Sequence, residues 1–460
     1  MVAGRVIDTG PKWSKGGGNW IPVGAVLAIS SGMLFNGYNS ASGQAISAIV
    51  NCVLLIVLLV VAPLDACRMK RTVPVLVLIA LASAWAVFAS GFPVLGAGPG
   101  LPRPFTPDFL EIGVLSQIGG VAALYCGVMI AGRLRFRQRA IDWLIMVACL
   151  YLIFGLAIRA VGTDGLLSFW TVERDGRFQG TIGNVNVTAA VAGVIATLAL
   201  SQLFLLLAQS SHHLLRRGLA IRAGLYCFGF LLALGTAFAT ASRFTNVLTM
   251  ILLIVVGVLG GLRARHVLRP LLPILIPTGA VVLLLVARFT GLLVERLDTI
   301  WGGMGLRTML WGHYHDVARL SPLYGYGWGS FPTINGHFPG TIQFAQAAWT
   351  VNSAHNILLQ LWLNAGLPYL LLIVAAFLWG ARQVGNGLAG KWTIDEIGLA
   401  AAIGLIIACS MIDILLDVPA TITLALFIMG LLWGDAIVRS EVGIAAATGE
   451  PAQDERFVRR

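Results

Sequence analysis

The chain has 460 residues, of which 58% are apolar and 11% charged, with a mean hydropathy of +0.86. Soluble domains carry about 25% charged residues, so an ordinary soluble enzyme is excluded, and so is a disordered chain, which is poor in apolar residues. A net charge of +11 would suggest nucleic acid in a soluble protein; here the basic residues lie between apolar runs and read as membrane-topology signals.

A spanning helix needs about 20 mostly apolar residues. Twelve candidates follow in chain order: 20–37, 45–63, 73–91, 111–132, 140–160, 186–208, 223–240, 247–262, 270–288, 354–381, 397–416 and 419–437. The runs are long and continuous, unlike the short alternating segments of a porin-type barrel. The expected fold is an all-α polytopic membrane protein of about 12 transmembrane helices. Its single transmembrane domain covers residues 1–460, with a large periplasmic loop before helix ten. No cleavable signal peptide is apparent, because the first apolar run leads straight into further membrane segments. The six cysteines are scattered, with no CxxC pair, so neither a disulfide framework nor a zinc site is expected.

With the N-terminus placed in the cytoplasm, the inner segments hold 22 of the 31 Lys and Arg residues. The positive-inside rule then predicts both termini cytoplasmic, including a soluble tail at 439–460. The basic residues left outside are Arg103, Arg159, Arg174, Arg177, Arg243, Arg288, Arg296, Arg307 and Arg319, all arginines. Arginine dominates the basic residues of the whole chain, so the pattern permits, but does not by itself require, a site for phosphate or carboxylate.

The outer connection at 289–353 is 65 residues long. Loops of this length are uncommon unless they carry function. It holds Trp301, Trp311, Trp328 and Trp349 together with His313, His315 and His337, and His355 follows at its end. Residues 304–320 have helical periodicity and no proline, which predicts an amphipathic helix near the membrane surface. Residues 322–330 form a glycine–aromatic loop, where missing side chains let backbone approach a ligand closely.

The predicted spans are nearly free of charge, with Glu111, Asp142, Asp413 and Asp417 near helix ends. An ion-coupled transporter or lipid-linked-sugar flippase would place ionisable groups at mid-depth. Three polar clusters gather at the outer face instead. Arg177 to Asn186 leads into helix six, where Asn184 or Asn186 suits a helix cap. Ser242-Arg243 sits in a short outer turn, where an arginine either snorkels at the interface or binds an anion. Val351 to Gln360 opens helix ten with His355 in the first turn, where Ser353 or Asn352 suits the cap. A helix N-terminus favours neutral imidazole, the form that accepts a proton, although a lone histidine is more often structural. No HExxH, no DxD-type carboxylate pair, no Walker A, no GxSxG and no dinucleotide fingerprint occurs, so neither a metal nor a cofactor is expected.

Taken together, four motifs carry a resemblance. They are Arg177, Gly180, Gly183, Asn184 and Asn186; Ser242-Arg243; Arg307, Trp311, Pro322, Leu323, Gly325 and Gly327; and His355, Asn356, Leu359, Trp362 and Gly366. In order and spacing, over about residues 170–435, this set resembles the O-antigen ligase and Wzy-type polymerase superfamily of bacterial integral-membrane glycosyltransferases. Departures from the usual pattern are Val185, Phe244, Trp362 and Pro368. The resemblance implies a metal-independent, inverting transfer at the periplasmic face of the inner membrane. The donor would be a glycan on undecaprenyl pyrophosphate, and the acceptor a hydroxyl on lipid A-core. The alternatives are a second lipid-linked glycan, as in a polymerase, or a protein, as in an oligosaccharyltransferase. His355 would be the general base, Arg243 and Arg307 would hold the pyrophosphate, and Arg177 would be a third phosphate contact. Asn184, Asn186, Tyr326, Gly327 and Asn356 complete the expected substrate-binding set, with membrane lipids but no nucleic acid as partners.

Overall fold

The computed structural model describes residues 20–61, 66–90, 109–132, 134–161, 177–209, 217–265, 300–348, 351–390 and 392–448. They form fourteen α-helices and, among the described residues, no strand. The first eight are α1 (Ile21–Ser30), α2 (Ala41–Val61), α3 (Ala66–Ser90), α4 (Phe109–Ala131), α5 (Leu134–Val161), α6 (Val185–Gln209), α7 (Arg217–Ala239) and α8 (Arg243–Arg263). Then come α9 (Ile300–Leu320), α10 (Phe331–His337), α11 (Ile342–Ala348), α12 (Ile357–Gly387), α13 (Ile394–Ser410) and α14 (Pro419–Thr448). Among the described residues, nine helices are long and apolar enough to cross a membrane, which makes this an all-helical polytopic membrane protein. The expected span at 270–288 and the loop stretches 289–299 and 349–350 lie outside the described residues.

Three elements differ from their hydropathy reading. The first apolar run is a shorter helix that tightens into a 3-10 turn at Ser31–Met33 and reverses at Gly37, whose φ is +66°. The thirteenth helix stops at Ser410, so Asp413, predicted inside the 397–416 span, falls together with Asp417 in the connection to α14. The Asp413 carboxylate accepts the Ile414 N–H at 2.9 Å, a local bond that competes with helix continuation. At the other end of the chain, α14 continues to Thr448, well into the segment expected as a tail.

Helices α4 and α14 pack face to face. A Cβ on Gly127 would sit 2.8 Å from the Leu431 nitrogen and closer still to the Phe427 carbonyl. Small residues let membrane helices approach to backbone contact, and dispersion then replaces the hydrophobic drive that lipid does not supply. Helix α6 is enclosed by α7, α8 and α13, and its residues from Val187 to Ala199 are almost all buried. These central helices give the bundle two distinct ends. The 17 residues of α13 span about 25 Å at 1.5 Å per residue, with Asp395 and Glu396 at one end and Asp413 just beyond the other.

The Asp395 end is closed by a buried ion network. One Arg137 nitrogen lies 2.5 Å from Asp395 and another lies 2.5 Å from Asp435, with Glu396 at 3.8 Å. Arg439 completes the network from α14, pairing with Glu396 and reaching Asp435 at 3.2 Å. Arg137 is 2% exposed. Removing it would leave several carboxylates buried without their central counter-charge, which costs about 3–5 kcal/mol. Arg137→Met is therefore expected to lower the thermal midpoint markedly in detergent. A midpoint equal to that of the unchanged protein would show that Arg439 alone neutralises the cluster.

Candidate active site

At the opposite end of the bundle, four separate stretches of chain meet on one carboxylate. Asp413 is 7% exposed. Its Oδ2 accepts Nη2 of Arg307 at 3.0 Å and Nδ2 of Asn186 at 2.7 Å. Its Oδ1 accepts the Ile414 N–H and lies 3.5 Å from Nδ1 of His355. Burial alone would raise the Asp413 carboxyl, but His355, the Ile414 N–H and Arg307 together outweigh it and hold the carboxyl below the ordinary aspartate range. A depressed carboxylate contributes its stability in full above the unfolded value of about 3.9 and loses it only as pH falls through the depressed one. Asp413 thus stays charged throughout the neutral range.

The first of these stretches is the turn before α6. Asn184 accepts the N–H groups of Asn186 and Val187 at 2.9 and 3.1 Å, so its side chain is the helix cap. That cap turns Asn186 inward, where its Oδ1 accepts the Ser242 hydroxyl at 2.8 Å. Through this bond the Ser242-Arg243 turn is tied to Asp413, and Arg243 becomes the first residue of α8 at the same end of the bundle. Arg307 comes from α9, a helix that covers the periodic stretch 304–320. Its Nε donates to the Ile412 carbonyl at 2.9 Å. The guanidinium is therefore held by two contacts with Nη1 in neither, and its side chain is 27% exposed.

His355 lies in the turn before α12 and carries a φ of +50°, a left-handed conformation uncommon outside glycine. Such strain persists only where the surroundings over-determine it. Here the Trp311 indole donates to the His355 carbonyl at 3.2 Å. Asn356 caps α12 by accepting the Leu359 N–H at 3.1 Å and ties the cap to the Met411 carbonyl at 3.1 Å. On the other side, Ser353 donates to Asp417 and Gln360 accepts the Ala354 N–H at 2.9 Å. The His355 side chain is 24% exposed.

The glycine–aromatic loop has a different place from the one expected. Helix α12 is broken at Ala365 and Gly366, where the backbone leaves helical angles. The loop supplies bonds at that break: the N–H groups of Tyr326 and Gly327 donate to the Leu363 and Asn364 carbonyls at 2.7 and 2.9 Å, and the Leu367 N–H donates to Pro322 at 2.8 Å. Gly366 has a φ of +83°, and any Cβ there would collide with the Leu323 carbonyl. The Tyr326 ring is 1% exposed and its hydroxyl donates to Val317 at 2.6 Å. Tyr326 and Gly327, expected at a substrate surface, instead dock α9 onto the helix that follows the His355 turn, because a broken helix in a membrane must have its freed backbone groups satisfied.

Arg177 opens the described stretch that leads into α6. It lines a cavity with Arg159, Phe178 and Thr181, and its neighbour Phe178 donates through N–H to the Ala239 carbonyl at 3.0 Å. The fold therefore gathers His355, Arg307 and Asn186, with the backbone of Arg243 beside them. Asn184 and Asn356 serve as caps, and Arg177 lines the cavity with Arg159. The carboxylates were not among the expected site residues. Their signal was present as two aspartates inside an apolar stretch, since ionisable groups in such stretches mark sites by default.

Residues 228–374 match the family model described as O-antigen ligase. The matched stretch runs from within α7 to the middle of α12 and contains Arg243, Arg307 and His355. Asn186 and Asp413 lie outside it. No curated protein matches the chain.

Proposed function

We propose that this membrane protein, whose residues 228–374 carry an O-antigen ligase domain, is an inverting, metal-independent glycosyltransferase. Its donor is a glycan on undecaprenyl pyrophosphate and its acceptor a hydroxyl, as in the ligation of O-antigen to lipid A-core. The supporting observation is the convergence of His355 and Arg307 on Asp413. With Nδ1 turned to Asp413, the imidazole keeps that proton, and Nε2 is left as the lone pair. This is the arrangement of a general base with an orienting carboxylate. Nε2 takes the proton of the acceptor hydroxyl, the hydroxyl oxygen bonds to the anomeric carbon, and the bond from that carbon to the diphosphate oxygen breaks. The diphosphate leaves with the electron pair, and the guanidiniums of Arg307 and Arg243 stabilise its growing charge. A one-step displacement inverts the anomeric centre.

In this reading the Asp413 end of the bundle faces the periplasm and the Arg137 end the cytoplasm of an inner-membrane protein. A polymerase or a protein oligosaccharyltransferase would use the same base and the same arginines, and only the acceptor would differ. Reconstitution in vesicles with undecaprenyl-pyrophosphate-linked glycan decides the matter. Lipid A-core is expected to receive the glycan in one step with inverted linkage. Transfer only to a second lipid-linked glycan would make the protein a polymerase, transfer only to a protein would make it an oligosaccharyltransferase, and no transfer to any of these acceptors would remove the enzymatic reading.

A further inference from the structure

The site holds a second carboxylate that the scheme above does not use. Asp417 ends the 3-10 turn Leu415–Asp417 between α13 and α14. Asp417 is exposed to solvent between Leu416, which is half-buried, and Val418, which is 3% exposed. Ser353, itself 3% exposed, donates its hydroxyl to Oδ2 of Asp417 and lies 3.4 Å from the His355 N–H. Asp417 therefore opens beside the His355 turn.

The two aspartates differ in what surrounds them. Asp413 has both oxygens engaged by His355, Arg307, Asn186 and Ile414. Asp417 has Ser353 on Oδ2; His355 is the cationic group whose field reaches it and Asp413 the anionic one, and among the described residues no lysine or arginine forms an ion pair with it. An open carboxylate repels a diphosphate and attracts hydroxyl donors. The charge pattern thus divides the site: arginines face the leaving group, and Asp417 faces whatever carries neutral hydroxyls.

On the reading given under Proposed function, we infer that Asp417 is an acceptor-binding residue. It accepts a hydrogen bond from a sugar hydroxyl next to the one that His355 deprotonates, and Ser353 orients it. The ligand class is a polyol with neighbouring hydroxyls, and the contact sets acceptor affinity, not donor affinity.

The full-length protein in vesicles, with undecaprenyl-pyrophosphate-linked glycan and lipid A-core as probes, gives the test. Asp417→Asn is expected to raise the acceptor KM about tenfold or more, the worth of one hydrogen bond to a charged group, with the donor KM within about twofold of the unchanged protein. Ser353→Ala, which removes only the orienting hydroxyl, is expected to move the acceptor KM in the same direction, and it carries the test if Asp417→Asn does not fold. A fall in kcat with the acceptor KM unchanged would overturn the inference, because Asp417 would then act through the His355 turn. A raised donor KM would overturn it as well. If the unchanged protein transfers to no acceptor, the glycosyltransferase reading itself fails, and this assignment fails with it.

Discussion

Replacing His355 with alanine is expected to lower the rate of glycan transfer about 10²–10⁴-fold, the usual contribution of a positioned general base. The fold should survive. The imidazole is partly exposed, and Asp413 keeps Arg307, Asn186 and the Ile414 N–H after the ring is gone. Helix α12 keeps its cap, which belongs to Asn356. Donor binding, which rests on arginines, should change little. Transfer rate, donor affinity and thermal midpoint, measured on the same preparation, separate these effects. A variant that transfers at the normal rate would show that the hydroxyl proton leaves by another route, and the role given to His355 would fall.

Arg307→Lys is the second large effect. Arg307 makes two contacts from different nitrogens, Nε to the Ile412 carbonyl and Nη2 to Asp413, and its Nη1 belongs to neither. A lysine ammonium is a point charge on a flexible stem and cannot reproduce a planar fork held at two places. If the third nitrogen meets the diphosphate as charge develops on it, losing that donor costs about 10²–10³ in kcat. The loss should fall on kcat more than on the donor KM, because a contact that strengthens in the transition state does not set ground-state binding. Equal kcat with a raised donor KM would make Arg307 a binding residue only.

Much of this site is legible in the linear chain, but unevenly. The turn before α6 reads directly, since Asn184 follows Gly183, a glycine with a φ of +73°, and such residues cap helices wherever they stand. The cap of α12 does not: Ser353 or Asn352 is the cap the sequence suggests, whereas Asn356 takes that place because the helix begins at Ile357. The helix bearing Arg307 is visible from its 3.6-residue periodicity. Asp413 and Asp417 were seen but placed at the end of a span, because hydropathy carries the apolar run through 416, whereas the carboxylate bonds Ile414 and ends the regular helix early. The glycine–aromatic loop misled for a related reason. Glycines with positive φ suit both a ligand loop and a backbone crossing, and only the break at Ala365 and Gly366 shows which is needed here.

Run length, capping and basic-residue bias are settled by what each segment meets on its own, either lipid or water. That is why the membrane class and most helix positions follow from the amino-acid order alone. The meeting of Asn186, Arg307, His355 and Asp413 is of another kind. These residues lie on four stretches far apart in the chain, and they come together because α6 is enclosed by α7, α8 and α13 while the 322–327 loop locks α9 to the broken α12. Which polar side chains face each other depends on packing among all the helices at once, and no single stretch of sequence contains that information.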